Sequence, residues 1–196
     1  MNKTRFYIFI TLMLNIVFAQ MALPSFQAVH KPHSAASGSG TPENPLQSHD
    51  SPAGTNVGWN YFMGYRFTPQ TNGTVTQLGG YYNGTKTVYL WRWSDGLFLG
   101  SVSNSSSNNW TYTNLETAAS LTSGTEYFVG VALNGSGGTY FRTGGSGLPI
   151  TYGNIRINYA AYKSGSFSSN TMPTSWSSST QTGIYYGVPD ITFVPN

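Results

Sequence analysis

Residues 58–196 form a succession of short segments in which apolar and polar residues alternate, separated by turn signals rich in Gly and Asn. Alternation with a period of two is typical of β-strands, because successive side chains point to opposite faces of a sheet. In residues 126–133, for example, Tyr127, Val129 and Val131 alternate with their neighbours. No window carries apolar residues at helical spacing over three turns, so we predict almost no helix.

Asn-Gly and Asp-Gly pairs mark the expected turns between these segments. Asn72-Gly73 precedes the strand predicted over Thr74–Tyr82, and Asn83-Gly84 precedes the strand predicted over Lys86–Trp93. Asp95-Gly96 then closes a hairpin. Several short strands joined by Gly-rich turns predict an all-β fold, an antiparallel two-sheet β-sandwich of the jelly-roll or immunoglobulin-like type.

The first 19 residues have the pattern of a signal peptide. A basic start is followed by the almost wholly apolar stretch Phe6–Phe18. This stretch is shorter than the roughly 20 residues that span a bilayer, which favours a cleaved signal peptide over a membrane anchor. We predict cleavage before Gln20, a location outside the cell or at its surface, and no membrane span after cleavage.

Residues 20–56 are rich in Pro, Ser and Gly and predict a flexible linker before a single domain over residues 57–196. The linker holds every histidine of the chain, His30, His33 and His49. They are either metal ligands or solvated linker residues, and a linker that fixes no imidazole geometry favours the second interpretation. We predict no metal site and no cofactor, although the four scattered acids of the domain do not exclude calcium.

The composition narrows the functional classes. Charged residues make up 8% of the chain, against about a quarter in ordinary domains, while aromatic residues make up 15%. Because Lys and Arg are few and scattered, we expect no nucleic acid partner. The chain has no Cys, which excludes disulfides and thiolate chemistry.

The sequence lacks the groups of residues that common hydrolytic active sites require. With every histidine in the linker, a Ser-His-Asp triad would lack its base. A glycosidase needs two carboxylates roughly 5 to 10 Å apart. Asp95 belongs to a hairpin turn, and Glu126 is expected to point away from the face of Val129 and Val131. We therefore predict no catalytic residues, with a carbohydrate-active enzyme kept as the least favoured alternative.

The aromatic residues are the better functional signal. Tyr89, Trp91 and Trp93 share one face of their predicted strand at intervals of about 7 Å. Such a row either stacks on sugar rings or is covered by a loop or by the other sheet. Trp176 lies in a predicted loop and is the best single candidate for a ligand contact. The candidate binding residues are Trp176, Trp93, Trp91, Tyr89, Tyr81, Tyr82, Tyr185 and Tyr186.

Tyr81-Tyr82 and Tyr185-Tyr186 are adjacent pairs, so one member of each must face outward on a strand.

A series of short motifs follows one another along residues 63–142. In chain order they are Gly64–Thr68, Gly73–Thr76, Leu78, Tyr81-Tyr82, Leu90-Trp91, Asp95-Gly96, Trp110–Tyr112, Leu121, Gly124-Thr125 and Tyr127. In this order they resemble a secreted bacterial β-sandwich domain, number four thousand and eighty-two in the domains-of-unknown-function series. The resemblance is best over residues 63–142.

The resemblance implies secretion and a binding or accessory role, since family members commonly occur beside immunoglobulin-like and carbohydrate-active domains, and no catalytic residues are established for the family. The leading hypothesis is a secreted, non-catalytic binding module with carbohydrate as ligand. The alternative is an extracellular adhesion or assembly module whose uncharged strands pair with a cell-surface protein.

Overall fold

The computed structural model of the 196-residue chain describes residues 38–49, 54–142, 147–186 and 188–196. The predicted signal peptide and most of the predicted linker lie outside these residues, as do His30 and His33. The described residues form one short helix and a set of strands with the following bounds: α1 Pro45–His49, β1 Gly54–Val57, β2 Tyr61–Pro69, β3 Gly73–Arg92, β4 Phe98–Leu121, β5 Tyr127–Ala132, β6 Gly138–Arg142, β7 Ile150–Tyr152, β8 Ile155–Ser164, β9 Ser178–Gln181, β10 Ile184–Tyr186 and β11 Pro189–Pro195.

The strands pair antiparallel throughout, which confirms the predicted all-β fold with little helix. The main sheet has the order β11-β3-β5-β2-β8-β7, with β4 on β3 and β9 on β8. A small sheet has the order β1-β6-β10, and β10 lies against β2 and β8. Within the described ranges, no helix has the length and hydrophobicity needed to cross a membrane.

The two strands predicted on either side of Asn83-Gly84 are one strand, β3, and the predicted turn between them is wrong. The register of β3 against β4 shifts between Tyr82 and Asn83, where β4 has one extra, unpaired residue, Asn108, with a φ of 55°. An extra residue in one strand of a pair is a β-bulge, which bends the pair of strands without ending either. Gly84, with a φ of 85°, stays paired within β3, so an Asn-Gly sequence by itself does not distinguish a hairpin turn from a continuing strand.

The bend folds the β3–β4 hairpin over itself. The Nδ2 of Asn104 donates to Oγ1 of Thr113 at 3.0 Å, although nine residues of extended strand would span about 30 Å. The first half of β3 pairs with β11 and the second half with β5, so strand pairing makes one continuous sheet. The division into two packed sheets stays a prediction.

The main core lies on the face of the sheet predicted from the alternation. Val129 and Val131 of β5 are fully buried, together with Tyr65 on the neighbouring strand β2. They belong to one cluster with Leu78 of β3 and Phe193 of β11. Each such side chain contributes roughly 1.5–3 kcal/mol by its burial, so this cluster is the main source of stability.

Residues 38–49 belong to the folded unit rather than to the linker predicted over residues 20–56. Glu43 and Phe193 exchange two backbone hydrogen bonds, of 2.7 and 2.9 Å, at the outer edge of β11. The side chain of Leu46, on α1, is fully buried in the main core. The segment therefore covers the edge of β11, an arrangement that protects a strand from further pairing.

Candidate functional site

Tyr89 and Trp91 of β3 and Trp93, one residue beyond the end of β3, pack in the same cluster, as the alternation predicts, and the first two are covered. The exposed fraction is 5% for Tyr89 and 0% for Trp91, while Trp93 is half-buried. The rings of Tyr89 and Trp91 stack with their centroids 5.1 Å apart. Of the two interpretations of this row, the covered one holds for these two residues.

The residues that cover this row are 165–177, between β8 and β9, which we call the cover loop. The ring of Phe167 stacks on Phe62 at 4.1 Å, and the backbone carbonyl of Asn170 accepts a hydrogen bond of 2.9 Å from Nε1 of Trp91. A buried indole N–H needs such a partner. Together, Phe62, Tyr89, Trp91 and Phe128 form what we call the covered cluster, a second core on the face opposite the main core.

A glycine gives the covered cluster the space it needs. Gly130 lies on β5 beside Tyr89 of β3. A Cβ at this position would lie 2.6 Å from the ring of Phe128 and 2.7 Å from the ring of Phe62. Because real side chains do not approach that closely, the rings pack directly on the backbone of β5.

Trp176 lies in the cover loop and is partly buried. Its ring contacts Phe128 at 4.9 Å, edge to face, and Trp93 at 5.4 Å. Trp176 therefore anchors the loop to the covered cluster and leaves only part of its ring accessible. Its role as the principal ligand contact stays a prediction.

A charged pair borders Trp93. The guanidinium carbon of Arg66 lies 4.2 Å from the ring centroid of Trp93 and 5.0 Å from that of Tyr159. Arg66 donates to the carboxylate of Glu126 at 2.6 Å, and the side-chain amide of Asn158 donates to the same carboxylate at 2.8 Å. Glu126 points away from the face of Val129, as predicted, and its oxygens have partners within the protein.

The pair Tyr81-Tyr82 divides as the strand geometry requires. Tyr82 is fully buried and donates to Oδ1 of Asn104 at 2.6 Å, and its burial raises the pKa of the Tyr82 phenol. Tyr81 is partly exposed and packs edge to face against Trp110 at 5.6 Å. The second predicted pair, Tyr185-Tyr186, lies on β10, where the structure describes the backbone alone.

An open pocket of about 210 Å³ lies on the other face of β2, lined by Trp59, Tyr61, Met63 and Tyr162, and we call it the aromatic pocket. Tyr61 and Met63 are two residues apart on β2 and so share a face. Tyr162 of β8 is paired with Met63, and its ring packs edge to face against Tyr61 at 5.9 Å. Met63 is 2% exposed and forms the floor.

None of these lining residues is among the candidates predicted from the sequence. The sequence nevertheless contains a pattern that places three of them together. Trp59, Tyr61 and Met63 are spaced two residues apart, so in an extended segment their side chains share one face. The described lining carries no acidic or basic side chain. β10, which carries Tyr185 and Tyr186, lies against the two strands that supply the pocket.

Three of the four acids considered for the domain, Asp95, Glu126 and Asp190, contact groups of the protein itself. Asp190 is fully buried and accepts hydrogen bonds from the hydroxyls of Tyr65 at 3.0 Å and Tyr112 at 2.9 Å, and from two backbone amides of α1. Burial raises the pKa of Asp190 to about 6. In the predicted hairpin turn, a hydrogen bond from Arg92 lowers the pKa of Asp95 to about 2. Glu116 is exposed on β4.

In the part of the chain that the structure describes, no three His, Cys, Asp or Glu side chains are grouped closely enough to hold a metal ion. No family model matches the chain, and no curated protein matches it either. The resemblance to the bacterial domain family therefore stays a prediction.

Proposed function

We propose that the chain is a secreted, non-catalytic binding module whose ligand is a carbohydrate held in the aromatic pocket. The observation that carries this proposal is the grouping of Trp59, Tyr61 and Tyr162 around an opening with a buried floor. Secretion is supported by the signal-peptide pattern of residues 1–19.

The chemistry of the lining suits a sugar. The face of an aromatic ring carries partial negative charge and attracts the C–H groups that a pyranose ring presents on one side. A Tyr hydroxyl is both a donor and an acceptor of hydrogen bonds, and the indole N–H of Trp is a donor, and both are groups that sugar hydroxyls can bind. Ligand sites generally combine apolar walls with a few polar groups in this way.

A non-catalytic role is supported by the surroundings of the acids. Glu126 contacts Arg66 and Asn158, Asp95 contacts Arg92, and the carboxylate of Asp190 is enclosed by four donors. A pair of catalytic carboxylates has to face a common cleft that the substrate can enter. These acids instead hold elements of the fold together.

Affinity electrophoresis of the mature protein through gels that contain different polysaccharides tests the proposal. We expect one glycan to retard the protein and Trp59→Ala to abolish the retardation. Trp110→Ala is the matched control, because Trp110 is also a half-buried Trp packed on the main core but lies outside the pocket. Retardation relieved instead by Trp93→Ala or Trp176→Ala would move the site to the opposite face, and no retardation on any glycan would contradict the proposal.

An adhesion or assembly module is the second candidate, and the edge of β4 favours it. Among the described strands, β4 pairs with β3 alone over its whole length, Phe98–Leu121. It contains one charged residue, Glu116, and no Pro. Long uncharged edges of this kind pair readily with other strands.

Sedimentation velocity over a range of protein concentrations tests the second candidate. Self-association that Ser103→Lys abolishes would favour assembly through β4, because Ser103 is exposed on this strand and a charge opposes edge pairing. A monomer at every concentration would count against homotypic assembly through this edge.

A further inference from the structure

The size of the aromatic pocket limits what it can hold. Its volume of about 210 Å³ is below the roughly 300–1,000 Å³ of pockets that enclose drug-sized ligands. A space of this size is on the scale of one sugar ring rather than of an oligosaccharide. A disaccharide would have to leave its second ring outside.

The core bounds the pocket along the strands that form it. On β2 the next residue on the same face is Tyr65, which is fully buried. On β8 the corresponding neighbour of Tyr162 is Ala160, and on β5 the partner of Met63 is Val131, and both are also fully buried. On this side the accessible surface therefore ends at Met63, about 13 Å of extended chain from Trp59, which is too short for a long row of stacked rings.

The lining also limits the charge of the ligand. Burying a carboxylate or an amine against Trp59 and Met63 costs free energy unless an opposite charge or several hydrogen bonds compensate. The described lining supplies no acidic or basic side chain. A neutral ring avoids the cost of a buried charge, and its hydroxyls meet only the smaller cost of burying polar groups, which hydrogen bonds offset.

From these limits we propose that the aromatic pocket binds a single uncharged pyranose ring at the end of a glycan, rather than an internal stretch of a polysaccharide. This inference rests on the proposed function, since it names the ligand class of the same site. The ring stacks between the aromatic walls over Met63, and the rest of the glycan extends into solvent.

Isothermal titration of the mature protein with methyl glycosides of neutral hexoses and with their oligosaccharides of increasing length tests the inference. We expect affinity to be nearly complete with one ring and to change less than threefold as the chain lengthens. We expect the corresponding methyl glycosides of uronic acids to bind at least tenfold more weakly, a difference of about 1.4 kcal/mol. Affinity that grows tenfold or more with length, or equal binding of uronic acids, would overturn it.

A second measurement locates the ligand in the unaltered protein. After the predicted cleavage, three methionines remain, Met21, Met63 and Met172. Met63 forms the pocket floor, while Met172 lies in the cover loop beside the covered cluster. With ¹³C-methyl methionine labelling, we expect a bound methyl glycoside to shift the Met63 resonance and leave the Met172 resonance in place.

The outcomes separate the two proposals. If long glycans bind, shift the Met63 resonance and gain affinity with length, carbohydrate binding at the pocket stands and recognition of the chain end is wrong. If a glycan shifts the Met172 resonance alone, the glycan does not bind in the aromatic pocket, and both proposals are wrong about the site. If no sugar of any length binds, both proposals are wrong.

Discussion

The aromatic pocket and the covered cluster lie on opposite faces of β2 and are built from similar residues. Phe62 points to the covered cluster, while Tyr61 and Met63 on either side of it point to the aromatic pocket. On one face the cover loop excludes solvent from the rings, and on the other an opening of about 210 Å³ remains. The difference lies in what covers the strand and not in the aromatic content of the strand.

The cover loop is joined to both faces. At one end, the amide of Gly165 donates to the carbonyl of Asn60, and at the other end the amide of Ser177 donates to the carbonyl of Tyr162, whose side chain lines the aromatic pocket. The loop thus begins and ends beside residues of the pocket while its side chains pack on the opposite face. Because the loop covers Trp91 and leaves the pocket beside Trp59 open, we expect Trp91 to contribute to stability and Trp59 to contribute to binding.

The largest expected effect is that of Trp91→Ala on stability. Trp91 is fully buried, stacks on Tyr89 and donates to the cover loop, so we expect a loss of about 3–5 kcal/mol in the free energy of unfolding. Trp59 is half-buried, so Trp59→Ala is expected to cost only about 1–2 kcal/mol while it abolishes glycan binding. Urea denaturation of both variants measures the contrast. Equal losses of stability would show that Trp59 stabilises the fold as much as Trp91 does, and would contradict the expected difference between the two aromatic regions.

The faces of the strands could be predicted from the sequence because side-chain direction in a strand is local. Val129 and Val131 on one face and Glu126 on the other follow from a period of two alone. The complete burial of Trp91 could not be predicted in the same way. Its cover comes from Phe167 and Asn170, more than 75 residues further along the chain, and nothing in the local sequence of β3 specifies it.

Contacts between residues far apart in the sequence also explain why the folded segment before β1 and the aromatic pocket were not predicted. Leu46 packs into the main core, and its amide and that of its neighbour donate to Asp190, 144 residues away from Leu46 in the sequence. Proline and serine around Leu46 have the composition of a linker, and only the fold supplies the partner. The pocket likewise needs Tyr162 to be paired with Met63, a register that the two separate segments do not reveal.

The two faces should also respond differently to pH, because a buried carboxyl contacts only one of them. Tyr65, on the same face of β2 as Met63, donates to Asp190, and burial raises the pKa of Asp190 from 3.8 to about 6. Since the folded state then binds the proton more tightly than the unfolded state, stability falls as pH rises from about 4 to about 6, by up to about 3 kcal/mol. Urea midpoints measured across this range give the slope.

Asp190→Asn is the variant that assigns this pH dependence. An amide does not titrate, so the slope between pH 4 and 6 should disappear, although the variant is also less stable because an amide accepts fewer of the four hydrogen bonds. A slope that persists in Asp190→Asn would assign the effect to another group. The Met172 resonance in the cover loop should stay constant through the same titration, since Asp190 contacts the other side of the sheet.

The smallest expected effect concerns the attachment of the cover loop itself. The side chain of Asn134 accepts a hydrogen bond of 3.0 Å from the amide of Phe167 and donates one of 3.4 Å to its carbonyl. Asn134 has a φ of 49°, so Asn134→Gly removes both bonds without backbone strain. We expect a loss of about 1 kcal/mol, seen as faster amide exchange in residues 165–177 with unchanged glycan affinity, because the pocket keeps its lining. A parallel loss of glycan affinity would mean that the loop, through Asn60 and Tyr162, shapes the pocket as well as the cluster it covers.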